Sequence, residues 1–286
     1  MTGFNLNKVK RQFTALLEVR FTAREANQMM RILLEDLFGI DLKLELLHPE
    51  MRIDELQHAA LQNAVNKLLQ GMPIQYVTGV ARFGDLVLHV DGSVLIPRPE
   101  TEELVAHAVN SLPHDRPLRV WDVGTGSGCI AIALAKRLPQ ANVLAFDVSL
   151  QALDVARHNA EMNHVSVDFI HDDVLNPTSS RWKLPVDLVV SNPPYVRQLE
   201  KASIETNVLD FEPHTALFVA DDDPLLFYRQ ILGLAKPQLT PEGAVWFEIN
   251  EAMGEEMLQL CSSMGFQGAI FNDFAEKPRF CRVNFN

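Results

Sequence analysis

The run Val120-Trp121-Asp122-Val123 leads into Gly124-Thr125-Gly126-Ser127-Gly128, and a helix-like stretch starts at Cys129-Ile130-Ala131. Glycines placed between a strand and a helix let the backbone turn tightly and let a ligand approach the main chain with no side chain in the way. The dinucleotide fingerprint needs glycine at its first, third and sixth positions, and here the sixth is Cys129. The Gly-Lys-Ser/Thr of a phosphate loop is also missing. Asp147 ends the next apolar run, 23 residues beyond Gly124, where a carboxylate can accept hydrogen bonds from both hydroxyls of a ribose. A nucleoside cofactor without a pyrophosphate satisfies both details, and S-adenosylmethionine is the candidate. Asp172 and Asp173 close a third run. As bare acids they read first as a solvated loop, and second as a contact to an adenine edge.

A second cluster follows the apolar run Val186-Asp187-Leu188-Val189-Val190-Ser191, namely Asn192-Pro193-Pro194-Tyr195. In open parallel sheets, ligands sit at the carboxyl ends of strands. Two prolines stiffen the backbone there, so Asn192 and Tyr195 are expected to be held in place. Methyl transfer from a sulfonium to nitrogen is an in-line displacement that needs no metal. Its obstacle is a planar NH2 group with a delocalised lone pair. The Asn192 side-chain oxygen and the Pro193 carbonyl would orient the two N–H bonds and stabilise positive charge growing on the nitrogen. Tyr195 would supply a flat face for a planar substrate.

The segments that must position these groups alternate. Strands are expected at 118–123, 142–147, 167–171, 186–191 and 243–249, and helices at about 127–138, 149–162, 224–235 and 251–264. Short connections between them imply a parallel sheet covered on both faces, an α/β, Rossmann-like doubly wound architecture. Two further strand-like runs flank Lys277-Pro278 near the end of the chain. Leu86 to Ile96 reads as a β-hairpin turning at Asp91-Gly92.

The first 70 residues read as helices. Thr22 and Glu25 form a capping box; Ala26, Met29, Met30, Leu33, Leu34 and Leu37 follow at helical spacing; Gly39 ends the run. A second helix over about 54–70 is expected to bury Leu56, Ala59, Ala60, Val65, Leu68 and Leu69. The predicted organisation is therefore a helical bundle over 1–80, a β-hairpin linker over 81–100 and a catalytic domain over 101–286. The connection 196–224 far exceeds the usual ~4–6 residues and is expected to fold over the substrate.

Composition narrows the function classes. Of 286 residues, 47% are hydrophobic and 22% charged, which excludes a disordered or collagen-like chain. No stretch reaches the roughly 20 apolar residues of a membrane span. Residues 1–11 carry no apolar segment of a secretory signal. Cys129, Cys261 and Cys281 are odd in number and lack metal-ligand spacing, which points to a reducing, cytoplasmic setting. His171 beside Asp172 has no second ligand cluster, so no metal is expected. The net charge is −12, and all of it falls after residue 80, because the first 80 residues hold nine basic and nine acidic groups. Such a surface is a poor match for duplex nucleic acid.

Gly124-Thr125-Gly126-Ser127-Gly128 with Asn192-Pro193-Pro194-Tyr195 resembles the class I S-adenosylmethionine-dependent amino-methyltransferases. Three more segments select a branch: Gly71-Met72-Pro73-Ile74-Gln75-Tyr76-Val77-Thr78-Gly79, Leu95-Ile96-Pro97-Arg98-Pro99-Glu100-Thr101-Glu102 and Phe211-Glu212-Pro213-His214-Thr215-Ala216-Leu217. Together they resemble the release-factor glutamine-N5 methyltransferases over essentially the whole chain. The resemblance implies a helical domain that helps grip a class I peptide chain release factor, and methylation of the glutamine in that factor's Gly-Gly-Gln tripeptide. By position, it implies a cofactor site of Gly124, Thr125, Gly126, Ser127, Gly128, Asp147, Val174 and Asn192. It further implies that Asn192, Pro193, Pro194 and Tyr195 hold the substrate carboxamide. Arg98 could hold a carboxylate or the methionine end of the cofactor, or pack against the Glu100 loop. Glu248-Ile249-Asn250 has asparagine where relatives often have glycine, and no site role is read from it. The rival readings are glutamine methylation of a ribosomal protein, adenine-N6 methylation of nucleic acid, and a cofactor-binding module without catalysis. The segments after Tyr195 count against the first, the acidic balance against the second, and Asn192 with Asp147 against the third.

Overall fold

The computed structural model describes residues 3–112 and 116–285. The chain separates into two units, Met1–Val80 with Glu205–Phe211, and Ala81–Ile204 with Glu212–Asn286. In the first, β1 (Phe4–Asn5) pairs antiparallel with β2 (Arg52–Ile53), and the helices are α1 (Leu6–Leu17), α2 (Ala23–Phe38), α3 (Leu42–Leu47), α4 (Glu55–Leu69) and α5 (Ile74–Thr78). Thr22 accepts from the Glu25 N–H, and the Glu25 carboxylate accepts from the Thr22 N–H, which closes the expected capping box. Gly39 ends α2 in the left-handed region at φ 68°. Phe13, Leu17, Met30, Leu33 and Leu34 are fully buried at the centre of this unit. The face of α4 differs from the sequence expectation. Leu61, Ala64, Val65 and Leu68 are buried, whereas Leu56 is 82% exposed and Ala59 and Ala60 face solvent. The buried four keep strict i, i+3, i+4, i+7 spacing; the expected set joined two different faces.

The elements after Thr78, of which α9 (Thr206–Phe211) belongs to the first unit, are β3 (Val80–Phe83), β4 (Leu86–His89), α6 (Pro99–Asn110), β5 (Arg119–Val123), α7 (Cys129–Arg137), β6 (Asn142–Asp147), α8 (Leu150–Met162), β7 (Asp168–His171) and β8 (Val186–Ser191). They continue with β9 (Val196–Arg197), α9 (Thr206–Phe211), α10 (His214–Leu217), β10 (Phe218–Val219), α11 (Leu226–Ala235), β11 (Leu239–Glu248), α12 (Gly254–Ser263), β12 (Phe266–Asn272) and β13 (Pro278–Phe285). Seven strands form one sheet in the order β12-β13-β11-β8-β5-β6-β7. The five from β11 to β7 pair in parallel, and β13 runs antiparallel to both its neighbours. Each side chain of β8 is buried, as a strand covered on both faces requires. One face packs on Leu104, Val105, Ala131 and Leu134, the other on Tyr228, Ile231, Leu232 and Met257. Among the described residues, no helix is long and apolar enough to cross a membrane.

The hairpin turns elsewhere than expected. β3 and β4 pair across Gly84-Asp85, where Gly84 takes φ 56°, the positive value that a two-residue hairpin turn favours. Asp91 instead closes a local turn after the hairpin: its side chain accepts from the Ser93 N–H and its carbonyl from the Val94 N–H. Phe83, Leu86 and Leu88 join the core beside α6 and α7, so the hairpin packs as part of the second unit. Asn159 of α8 fastens it. This fully buried amide donates to the carbonyls of His89 and Ser127, both at 2.9 Å, and accepts from the His89 N–H at 2.6 Å.

Asp172 is likewise structural rather than solvated. Its carboxylate is buried and accepts from Thr178 N and Oγ1, Ser179 N and Trp182 Nε1, the last at 2.6 Å. Burial works to raise its pKa, but these hydrogen bonds outweigh it and hold the group below the usual carboxylate value.

Two stability outcomes follow. Asn159→Ala removes the partner of three backbone groups and is expected to cost roughly 2–4 kcal/mol in chemical denaturation; an unchanged midpoint would contradict the fastening role. A depressed folded-state pKa means that Asp172 contributes stability above the unfolded value of about 4 and loses it as the pH falls through the lower folded value. The stability gap between wild type and Asp172→Asn should therefore be widest near neutral pH and close in acid, as read by denaturation at several pH values.

Candidate active site

Glycine geometry opens the site. Gly124 and Gly126 adopt φ values of 75° and 53°, and a Cβ on either would meet nothing within 4 Å. Both the conformation and the open space above it are therefore reserved. Gly128 serves a different end, because a Cβ there would come within 3.0 Å of the Ala156 Cβ and 3.1 Å of the Ile132 Cδ1. It lets α7 and α8 approach closely, and it does not line the cavity described below.

Three groups brace the loop. Asp122, wholly buried at the end of β5, accepts from Thr125 Oγ1 at 2.5 Å and from the Ala131 N–H at 3.1 Å. Burial pushes its pKa up to about 7. The Phe146 carbonyl accepts from the N–H groups of Gly124 and Thr125. Asp147 accepts from the Gly126 N–H through Oδ2 and from the Ser149 N–H through Oδ1, both at 2.9 Å. Burial raises its pKa against these bonds. Each carboxylate oxygen retains acceptor capacity for a ligand hydroxyl.

A cavity of about 450 Å3 lies at the carboxyl ends of β5, β6, β7 and β8. Of the residues expected to bind, Gly124, Thr125, Gly126, Ser127, Asp147, Val174, Asn192, Pro193 and Pro194 line it. Tyr195 does not. Its ring packs in the apolar core near α11, and its hydroxyl donates to Glu248 Oε1 at 3.0 Å. Burial, then the neighbouring Glu248 charge, raises the Tyr195 pKa, so the hydroxyl stays a donor. The Asn192 Nδ2 donates to Thr101 Oγ1 at 3.2 Å, and Thr101 Oγ1 donates to Glu248 Oε2 at 2.7 Å.

Arg98 also lines the cavity, and its carboxylate partner is Glu212, with Nη2 2.6 Å from Oε1. Glu212 is buried and accepts from the Ile96 N–H through its other oxygen. The segments around Arg98 and Glu212, 114 residues apart, are thus joined. The connection after Tyr195 contains β9, α9, α10 and β10. β9 pairs in parallel with β10, and Pro213, Thr215, Ala216 and Phe218 form one wall of the cavity. His171 Nε2 lies 3.0 Å from the Val148 carbonyl, and no group of three His, Cys, Asp or Glu among the described residues could hold a metal ion.

Thr101 and Glu248 escaped the sequence reading. For Glu248 a signal existed, since it ends a strand of the parallel block at the ligand-bearing edge. Thr101 sits in the first turn of α6, within the segment Leu95 to Glu102 that carried the family resemblance, but the segment gives it no role by itself.

A domain described as "Methyltransferase small domain" matches residues 104–211, and one described as "PrmC N-terminal domain" matches residues 9–79. The chain is 39% identical to the release factor glutamine methyltransferase of Flavobacterium psychrophilum, across 98% of this chain and 99% of that one. It is 38% identical to that of Bacteroides thetaiotaomicron, across 98% of this chain and 100% of that one. Among solved structures, a methyltransferase from Pyrococcus furiosus shares the fold with a TM-score of 0.52 at 15% identity, covering 78% of this chain and 97% of that chain. The fold is that of the class I methyltransferases, as the sequence implied. With two relatives matched end to end, the chain belongs to the release factor glutamine methyltransferase family.

Proposed function

We propose that this chain methylates the side-chain amide nitrogen of the glutamine in the Gly-Gly-Gln motif of class I peptide chain release factors, with S-adenosylmethionine as donor. The observation that carries this reading is the placement of Asn192. It lines the cavity with its Nδ2 already committed to Thr101, which leaves Oδ1 as the acceptor for an incoming N–H.

The residues present fit the cofactor. The open space over Gly124 and Gly126 admits a ligand against the backbone, and the Asp147 carboxylate is fixed where ribose hydroxyls can donate to it. Val174 and its neighbours at the end of β7 supply the wall for the base. When bound, S-adenosylmethionine supplies a methyl group on a positively charged sulfur, which departs as the neutral thioether of S-adenosylhomocysteine.

The protein's part is placement. Asn192 Oδ1 and the Pro193 carbonyl would hold the two N–H bonds of the substrate carboxamide and turn its nitrogen toward the methyl donor. As the C–N bond forms, positive charge grows on that nitrogen, and the same two acceptors stabilise it. The proton is released to solvent after transfer, so no strong base is required. Tyr195 acts here as an anchor of the tetrapeptide rather than as a stacking face, since its hydroxyl is held by Glu248.

The reading is tested by single-turnover transfer from labelled S-adenosylmethionine. Purified release factor, its variant with Gln replaced by Ala in the Gly-Gly-Gln loop, and unmodified DNA are offered in parallel. Label is expected on the first alone; label on DNA would move the chain to the adenine-modifying branch. Asn192→Ala should slow transfer about 100-fold at saturating cofactor. Asp147→Ala should weaken cofactor binding roughly 10- to 100-fold, measured by calorimetry.

A further inference from the structure

We infer that Thr101 and Glu248 are positioning residues that fix the direction of the Asn192 carboxamide, so that its oxygen and not its nitrogen meets the substrate amide. The inference rests on the methyl-transfer reading above and deepens it. An asparagine side chain is nearly symmetric in shape. Packing alone cannot decide which end faces the cavity; only the polarity of its hydrogen bonds can.

That polarity originates at Glu248. Glu248 is 2% exposed at the end of β11, where Phe247 is in register with Ser191, the residue before Asn192. Tyr228 donates to the Glu248 carbonyl at 3.0 Å and holds the main chain there. The hydroxyl proton of Thr101 is committed to Glu248 Oε2, so toward Asn192 the Thr101 oxygen can only accept. An Asn192 oxygen facing it would set two acceptors against each other with no proton between them, and the buried pair would be left unsatisfied. Asn192 therefore presents Nδ2 to Thr101 and Oδ1 to the cavity.

The chain has a second consequence. Hydrogen bonds in series polarise one another, so the Glu248 carboxylate strengthens Oδ1 as an acceptor while positive charge develops on the substrate nitrogen. The other carboxylate oxygen accepts from the Tyr195 hydroxyl, so one buried group sets both ends of Asn192-Pro193-Pro194-Tyr195. Burial raises the Glu248 pKa, opposed by the hydroxyls of Thr101 and Tyr195 and by the Arg279 guanidinium.

The test is Thr101→Val, which keeps the side-chain shape and removes the hydroxyl, against Thr101→Ser, which keeps the hydroxyl. Expected for Thr101→Val is a fall in the rate at saturating cofactor and release factor of about tenfold or more, with cofactor affinity and KM for release factor unchanged. Thr101→Ser should recover most of that rate, and Glu248→Gln, which offers only one acceptor oxygen, should fall between. In parallel, the Asn192 side-chain NH2 signals in 15N-resolved NMR of the substrate-free protein should shift in Thr101→Val and stay near wild type in Thr101→Ser. Wild-type transfer rates in Thr101→Val would overturn the inference, and so would equal losses in the two variants or unmoved Asn192 signals. The NMR readout needs no substrate. A chain that labels no release factor would thus sink the methylation reading while the orientation of Asn192 is still decided.

Discussion

Ser191 donates its hydroxyl to the Val123 carbonyl at 2.6 Å, and that bond ties together the carboxyl ends of the two central strands. It caps the parallel pairing of β5 with β8, in which Val120, Trp121 and Asp122 lie beside Leu188, Val189 and Val190. At this pair the strand order reverses. The chain runs outward from β5 through β6 to β7 and returns on the other side at β8. A crevice must open at such a point, because the connections leaving the two strands part in opposite directions. The glycine loop leaves one strand end and Asn192 the other. Cofactor and substrate elements 68 residues apart in sequence are thereby held together by backbone pairing and by the Ser191 hydroxyl that closes it.

Around that crevice the protein uses buried polar side chains as fasteners. Asp122 braces the glycine loop, Asn159 ties the hairpin to Ser127, Asp172 knots the segment after β7, and Glu212 locks Arg98 and Ile96. Each would be costly to bury alone, and each is hydrogen-bonded to the segment that it fastens. Loops around an active site cannot all be held by hydrophobic packing, since they must leave a cavity. Directional hydrogen bonds hold them without filling the space. Glu248 belongs to the same set, and it differs in that its partners include groups of the reacting end of the site.

The apolar periodicities were legible. Five parallel strands and the helices between them fall close to where the runs of valine, leucine and alanine placed them, because a strand buried on both faces can carry little else. Errors arose where two local patterns competed. Asp91-Gly92 is as good a hairpin signal as Gly84-Asp85, and only the burial of Phe83, Leu86 and Leu88 in the core chooses between them. On α4, alanines are too small to declare a face, and the neighbouring helices chose Leu61 and Ala64 over Leu56 and Ala59.

Sequence by itself determined the kind of chemistry. Glycines that need positive φ, an acid one strand later, and Asn-Pro-Pro-Tyr after a buried strand are covalent and conformational constraints that no packing can add or remove. Tertiary structure alone decided which way those groups act. It turned the Tyr195 hydroxyl away from the cavity and onto Glu248, gave Arg98 the carboxylate of Glu212, and set Thr101 beside Asn192 across 91 residues. The physical reason is that a hydrogen bond's direction depends on what its partner has already donated. Such partners meet only when the sheet assembles strands and helices distant along the chain.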